Sequence, residues 1–326
     1  MRRAALPALA AFAVALGAAG CAKPPVPSLE ARLAARAEAS PAVEADARAL
    51  AALGARVTGS AACAKGEDLA AARLSAAGLA PSFETFPRPE DAAPDAPARN
   101  VLADIPGTDA TRGLVLLAAH LDGVAVGEGA ADDAVNVAVL LEVARTLKAL
   151  APAPRRTIRF AFFTGEEQRM AGSSAYVAAH GAEPHALAVV FDLGSGRTKG
   201  FYMNGRKQEM RALFQRALAS DERWRAIFGT YEIWAGCDAF PFVKAGIPVL
   251  TAFQIDPGYA ALHHTKADTA ERLDFAAARE TAALAAALAW GAADDPGPDL
   301  PRHTPDEVRE LLARHRIEAP SAQGAR

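Results

Sequence analysis

The chain has 326 residues, 51% of them hydrophobic and 22% charged, with 35 basic against 38 acidic side chains and a formal charge of −3. That composition is of a folded globular protein, long enough for one large α/β domain or two small ones. The balanced charge gives no footprint of the basic stripe that nucleic-acid binding requires, and few aromatics beside abundant alanine argue for helix-rich layers over an all-β sandwich.

The first residues, MRRAALPALAAFAVALGAAGC, carry two arginines, an apolar stretch from Ala4 to Ala19 broken at Pro7, and small residues ending at Cys21. This is the layout of a secretory signal, and it is short for a membrane span, which needs about twenty apolar residues. LGAAGC resembles a bacterial lipobox, in which Cys21 becomes the lipidated first residue of the mature chain; the alternative is a plain signal with an incidental cysteine. The expected organisation is a signal peptide over 1–20, a lipid-anchored proline-rich tether over 21–29, a folded domain over 30–292, and a linker, short helix and flexible tail over 293–326. The expected location is the bacterial cell envelope, facing the periplasm and attached to the membrane through Cys21, with secretion as the alternative. An oxidising compartment would permit a Cys63–Cys237 disulfide, but two free buried thiols fit equally well. Neither cysteine forms a CxxC pair, so a thiolate zinc site is unsupported.

Residues 28 to about 53 are helical in pattern, and VTGSAACAKGEDLAAARLSAAGL reads as a turn and a second helix closed by Gly78. Residues 81–99 start as a strand and continue as a proline-rich loop. NVLADI and GLVLLAA are strand-like, AVNVAVLLEVARTLKAL is helical, TIRFAFF is a strand and GSSAYVAAHG a helix. ALAVVFD is a buried strand, and after a loop and a helix comes the strand IPVLTAF. A long helix covers roughly 274–290, followed by a proline-rich stretch and a short amphipathic helix. Strands alternating with helices imply one α/β domain: a central mixed, mainly parallel β-sheet covered by helices on both faces.

Ligands of such sheets bind at the carboxyl ends of the strands. His120 and Asp122 follow LVLLAA, and Asp132 comes twelve residues after His120; Glu166 and Glu167 follow TIRFAFF; Asp192 ends ALAVVF; His263 and His264 lie beyond IPVLTAF. So many acids at one sheet edge would repel one another unless divalent cations joined them. Nitrogen and oxygen donors without thiolates suit zinc, with cobalt or manganese as substitutes. The donor count favours two ions sharing one carboxylate, the arrangement of two-metal hydrolases with ions about 3.5–4 Å apart. Adjacent Glu166 and Glu167 cannot point the same way, so one would ligate while the other faces the water as general base. Asp268, with Glu271 three residues on, reads as a helix cap. Asp133 reads as the bystander of its pair. Gly127 and Gly129 let the chain turn back between His120 and Asp132.

The stretches RVTGSAA, RNVLADIPG, AAHLDG to GAADD, FAFFTGEEQRMAGSSAYV, VVFDLGSG, CDAFPFVKAGIPVL and HHTKADT, in that order from about residue 50 to 290, resemble the di-zinc exopeptidases of metallopeptidase family twenty-eight. Its members include bacterial leucyl aminopeptidases and the plasma glutamate carboxypeptidase group. The resemblance implies a zinc-exopeptidase, phosphorylase/hydrolase-like fold and an exopeptidase, by expectation an aminopeptidase acting on peptides with two zinc ions per chain. It implies that His120 and Asp192 bind one metal, Glu167 and His264 the other, and Asp132 bridges them. It further implies that Asp122 holds the His120 ring, that Glu166 is the general base toward a metal-bridging water, and that a cis peptide follows Asp132. Choosing Glu167 over Glu166, and His264 over His263, as ligands rests on that pattern.

The sequence departs from the family at Val135 and Asn136, where a small residue and a glycine are frequent. It departs again at Cys237-Asp238-Ala239, in place of Ser-Asp-His. No expected ligand is lost. GAADDAVNVAVLLEVAR is also similar to zinc glutaminyl cyclases, which cyclise an N-terminal glutamine, and a catalytically weakened envelope binding protein of the same fold is a third reading.

Overall fold

The computed structural model describes residues 27–218, 222–225, 227–230 and 232–317. The expected signal peptide, Cys21, the start of the tether and the last residues of the tail lie outside them. No helix among the described residues is long and apolar enough to cross a membrane.

Three helices come first: α1 (Leu29–Ala39), α2 (Ala42–Ala51) and α3 (Ala61–Ala76). The single helical pattern of 28–53 is two helices because Pro41, which has no amide hydrogen to donate, separates them. Then follow β1 (Ser82–Phe86), β2 (Ala98–Ile105), β3 (Leu114–His120), α4 (Val135–Leu150), β4 (Ile158–Phe163), α5 (Ala171–His180), β5 (His185–Val190) and β6 (Arg197–Tyr202). The chain continues through α6 (Lys207–Ala217), α7 (Glu222–Arg225), β7 (Phe228–Thr230), α8 (Ala239–Lys244), β8 (Val249–Ile255), α9 (Tyr259–Leu262), α10 (Phe275–Asp294) and α11 (Pro305–Arg314).

The strands form one eight-stranded sheet in the order β1-β2-β4-β3-β5-β8-β6-β7. Its centre, β4-β3-β5-β8, is parallel, while β1, β2 and β6 join antiparallel. β3 and β5 are buried along their whole length, which is why they read as unbroken apolar runs. Alternate residues serve different cores: Val115, Leu117 and Ala119 of β3 pack with α1, α2, α4 and α10, whereas Leu114, Leu116 and Ala118 pack with α5 and α8. The alanines of α10 let it lie close to its neighbours. At Gly291 an added Cβ would come within 2.6 Å of the Ala217 Cα on α6.

β6 and β7 were not expected from sequence. In Arg197–Tyr202 the first half is charged and half-exposed, and the register slips between Thr198 and Gly200, so no apolar run announces the strand. Beyond α10, the buried Arg156 guanidinium donates to Asp299 Oδ1 (2.7 Å) and to the carbonyls of Asp295 (2.6 Å) and Gly297 (2.8 Å), pinning the proline-rich segment to the sheet. α11 starts with Pro305 and a Thr304–Glu307 capping box, and its Leu311 packs on the α5/α8 core.

The chain leaves β3 for β4 on one side and then crosses to β5 on the other, so the sheet's order reverses around β3. That reversal opens a crevice at the carboxyl ends of the central strands. Reading across β4, β3, β5 and β8, the segments leaving those ends carry Glu166 and Glu167, His120, Asp192, and His263 and His264.

Candidate metal centre

His120 is the last residue of β3, beside Phe163 of β4. The loop leaving it is gathered by a side chain far away in sequence. The buried Arg56 guanidinium donates to the carbonyls of Leu121 (2.8 Å), Glu128 (2.6 Å) and Gly129 (2.8 Å). Gly127 and Gly129 take left-handed φ values of 74° and 58°, and at Gly127 a Cβ would lie 2.5 Å from the Thr265 carbonyl. This glycine therefore lets the His263–His264 segment approach. The chain then makes an irregular turn over Ala130–Ala134 into α4, and the Asp132–Asp133 peptide is cis, as the resemblance implied.

The expected residues converge on Asp132. Its Oδ1 lies 3.1 Å from His120 Nε2, and its Oδ2 lies 3.3 Å from His264 Nε2. Asp192 Oδ1 is 3.4 Å from the same His120 nitrogen, and Glu167 Oε2 is 2.9 Å from His264 Nε2. The donor atoms of His120, Asp132 and Asp192 fall within 4.8 Å of one another, as do those of Asp132, His263 and His264. Both histidines of the pair therefore reach the cluster: their rings stack at 3.8 Å, and His263 Nε2 is 3.6 Å from Asp132 Oδ2.

Asp122, wholly buried, joins the two halves of the cluster. One oxygen faces His120 Nδ1 at 3.4 Å, and the carboxylate accepts from the amides of Glu166 (3.2 Å) and Glu167 (3.3 Å) and from the Thr58 hydroxyl (3.1 Å). It thus faces the histidine ring while holding the start of the glutamate turn by its two amides.

The donor set fits divalent metal. One imidazole nitrogen faces two carboxylates although it can give a proton to only one. Asp132 Oδ2 and Glu167 Oε1 are buried without a hydrogen-bond partner, the surplus of acceptors that a cation resolves. The electrostatics of the chain alone agree. Burial, with Asp192 close by, pushes Glu166 up to about 10; burial pushes Glu167 up to about 8 and Asp192 to about 6. Burial would lower His120, but Asp192, Asp122 and Asp132 outweigh it and hold the imidazole well above its ordinary value.

One sequence expectation is corrected. Asp268 caps neither the short helical turn Ala270–Arg272, which starts from Thr269, nor α10, which is capped by Asp274, whose side chain accepts from the Ala277 amide at 2.9 Å. Asp268 instead accepts from the amides of Ala131 (2.6 Å) and Asp132 (3.3 Å), which the irregular turn leaves free. Asp133 is not among the clustered donors; its buried carboxylate instead accepts from the His120 amide (3.2 Å) and from Asn136 Nδ2 (2.6 Å). Asn136 has a role of its own here, because its Oδ1 accepts from Gln254 Nε2 (3.0 Å), which also donates to the Gly194 carbonyl (2.7 Å). The loop after Asp192 is tied to α4 in this way. At the other departure, Ala239 is buried in the α5/α8 core, and Asp238 keeps a 2.5 Å bond from the Ser173 hydroxyl. Cys63 and Cys237 are free and buried. Nothing local marks Arg56 or Gln254 in the sequence, because the site loops they hold lie 60 or more residues away.

Comparison with known proteins agrees with the fold. Carboxypeptidase Q of Xenopus laevis is 31% identical over 178 residues, 54% of this chain and 38% of that protein; the chain thus spans under half the length of this curated relative. Among solved structures, a peptidase M28 precursor from Shewanella amazonensis superposes with a TM-score of 0.74 at 18% identity, covering 85% of this chain and 98% of that one. A zinc aminopeptidase from Bacillus subtilis superposes with a TM-score of 0.64 at 16% identity, covering 78% and 95%. The sequence profile of Peptidase family M28 matches residues 100–289, which include every residue of the cluster, and the chain belongs to that family.

Proposed function

We propose that the chain is a two-zinc exopeptidase, acting as an aminopeptidase on short peptides, with Glu166 as its general base. The observation that carries this reading is the position of Asp132, one oxygen toward His120 and Asp192 and the other, without a hydrogen-bond partner, toward His264. His120 and Asp192 would hold one ion, Glu167 and His264 the second, and Asp132 would be shared between them. Bound there, zinc supplies Lewis-acid polarisation of the scissile carbonyl and lowers the pKa of water.

The chain's own residues do the rest. Glu166 lines the same cleft as Asp132 and Asp192; its role is to take a proton from the attacking water and return it to the leaving amine. Asp122 keeps the His120 ring and both glutamate amides in place, so the ligands and the base share one frame. Trp234, Leu193 and Tyr259 give the cleft an apolar wall for a substrate side chain, and Trp234 is held by stacking on Tyr202 at 5.4 Å.

The test is hydrolysis of aminoacyl nitroanilides by the purified chain, inhibited by phenanthroline and restored by zinc. Ammonia release from glutaminyl peptides without hydrolysis would instead make it a cyclase. A preparation with no stoichiometric metal and no turnover would sink both and leave a binding protein of this fold. The envelope location is proposed from the Cys21 motif alone: palmitate labelling should be lost in Cys21→Ser, and an unlabelled wild type refutes the anchor.

A further inference from the structure

We propose that Arg169 anchors the terminal carboxylate of the substrate, making the cleft one for dipeptides with a free C-terminus; this rests on the exopeptidase reading above. The cleft encloses about 540 Å³, within the range of about 300–1,000 Å³ of small-ligand sites. Its charge is uneven. Asp132, Glu166, Glu167 and Asp192 line it, and Arg169 is the sole permanently cationic side chain among the described residues that do. An exopeptidase holds the bond to be cut one residue from a terminus. In a dipeptide both charged ends lie within one residue of that bond, and a carboxylate arriving among acidic side chains is repelled unless a cation receives it.

The backbone supplies an independent argument. Arg169 and Met170 are consecutive left-handed residues, with φ of 63° and 58°, a conformation that favours glycine. Their turn is set by its own hydrogen bonds, Met170 N to the Glu166 carbonyl (2.8 Å) and Ala171 N to the Gly165 carbonyl (2.6 Å). Glycine at 169 would suit this turn better than arginine. Nor does the guanidinium do much for the fold: it is 79% exposed, and its ion pair, to Asp91, is 3.9 Å long with a partner itself 54% exposed. Such pairs contribute little. A bulky side chain set against the backbone's preference, with no strong structural partner, at the mouth of a reactive cleft, points to a ligand. A guanidinium matches a carboxylate through two parallel hydrogen bonds.

The experiment compares leucyl-alanine with leucyl-alanine amide on the full zinc-loaded chain, as wild type, Arg169→Gly and Arg169→Lys. The glycine variant suits the left-handed backbone, so removing the guanidinium does not endanger the fold; melting temperatures check this. Wild type should show a KM for the acid roughly 10- to 100-fold below that for the amide, the worth of a charge-assisted hydrogen bond. The ratio should collapse in Arg169→Gly and return in part in Arg169→Lys. Titration calorimetry with D-leucyl-alanine and its amide repeats the comparison without turnover. A chain that hydrolyses nothing yet binds the acid selectively would overturn the exopeptidase reading and keep the anchor. Equal wild-type preference for acid and amide, or an unchanged ratio in Arg169→Gly, overturns the proposal.

Discussion

The carboxylate of Asp268 accepts hydrogen bonds from the backbone amides of Ala131 at 2.6 Å and Asp132 at 3.3 Å. The residue at the centre of the candidate metal cluster is therefore held through its main chain by the same loop that delivers His264. The two halves of the site, 120–133 and 263–268, cannot shift independently. Substituting Asp268→Ala leaves two amides without their acceptor, a cost of about 1–3 kcal/mol for each that stays dry. It should also lower zinc affinity about 10- to 100-fold, as loss of an outer support does. Competition with a chelator would measure the second effect, and unchanged affinity would show that the loop holds its place without Asp268.

Arg56 is the counterpart on the other side of the cluster. One buried guanidinium serves the carbonyls of Leu121, Glu128 and Gly129, which bracket the loop between His120 and Asp132. Arg56→Leu keeps the bulk and removes every donor. We expect at least about 3 kcal/mol of destabilisation, from several buried carbonyls losing their partners at about 1–3 kcal/mol each. Arg56→Lys should recover little, because an ammonium cannot span acceptors that the planar fork reaches together. Urea unfolding of both variants decides this; a lysine variant as stable as wild type would refute the fork argument.

A third expectation concerns pH. His180 of α5 lies between Glu183 (Nδ1–Oε1, 2.6 Å) and Glu84 of edge strand β1 (Nε2–Oε1, 2.7 Å). Partial burial works against the charged ring, but the hydrogen bonds to Glu183 and Glu84 win and raise its pKa. A raised histidine contributes stability that is full below its unfolded value of about 6.5 and is lost as pH climbs through the folded value. Burial would raise Glu183, but the His180 hydrogen bond dominates and lowers it, so its share is present above the unfolded carboxylate value and is lost as pH falls through the folded one. The clip should therefore hold β1 best on the mildly acidic side of neutrality. The gap in melting temperature between wild type and His180→Gln should be larger at pH 5.5 than at pH 8.5. A gap that does not change with pH would mean the ring acts by packing alone, through its 4.6 Å stack on Tyr176.

What the sequence makes legible depends on where each signal lies. β3 and β5 are buried on both faces, so their apolar runs were plain, and a parallel centre puts their carboxyl ends together. That is why His120, Asp192 and the Glu166–Glu167 pair could be assembled from sequence. β6 could not, since its charged first half faces outward and its register slips. Asp268 looks like a cap in the sequence because its spacing to Glu271 imitates a capping box, whereas its real partners are amides 136 and 137 residues away. The roles of Asp133 and Asn136 are likewise set by which amide or amide side chain the fold brings near them. Local patterns identify elements and ligand types; the residues that hold a site together are identified by tertiary neighbours.

The two adjacent glutamates are separable by substitution. Their amides share the Asp122 carboxylate, yet their side chains part. Glu167 goes to His264 at 2.9 Å, while Glu166 makes no ion pair among the described residues and is raised to about 10, first by burial and then by Asp192. A carboxyl kept from pairing is suited to moving a proton, and one set against a histidine is suited to sharing a metal with it. Glu166→Gln preserves shape and removes the basic oxygen, so kcat should fall about 10²- to 10⁴-fold with zinc content and KM little changed. Glu167→Gln should lose zinc instead. Metal analysis and kinetics on the same two preparations are enough. If Glu166→Gln is the variant that loses zinc, the roles of the two residues are exchanged, because the binding defect follows whichever glutamate ligates.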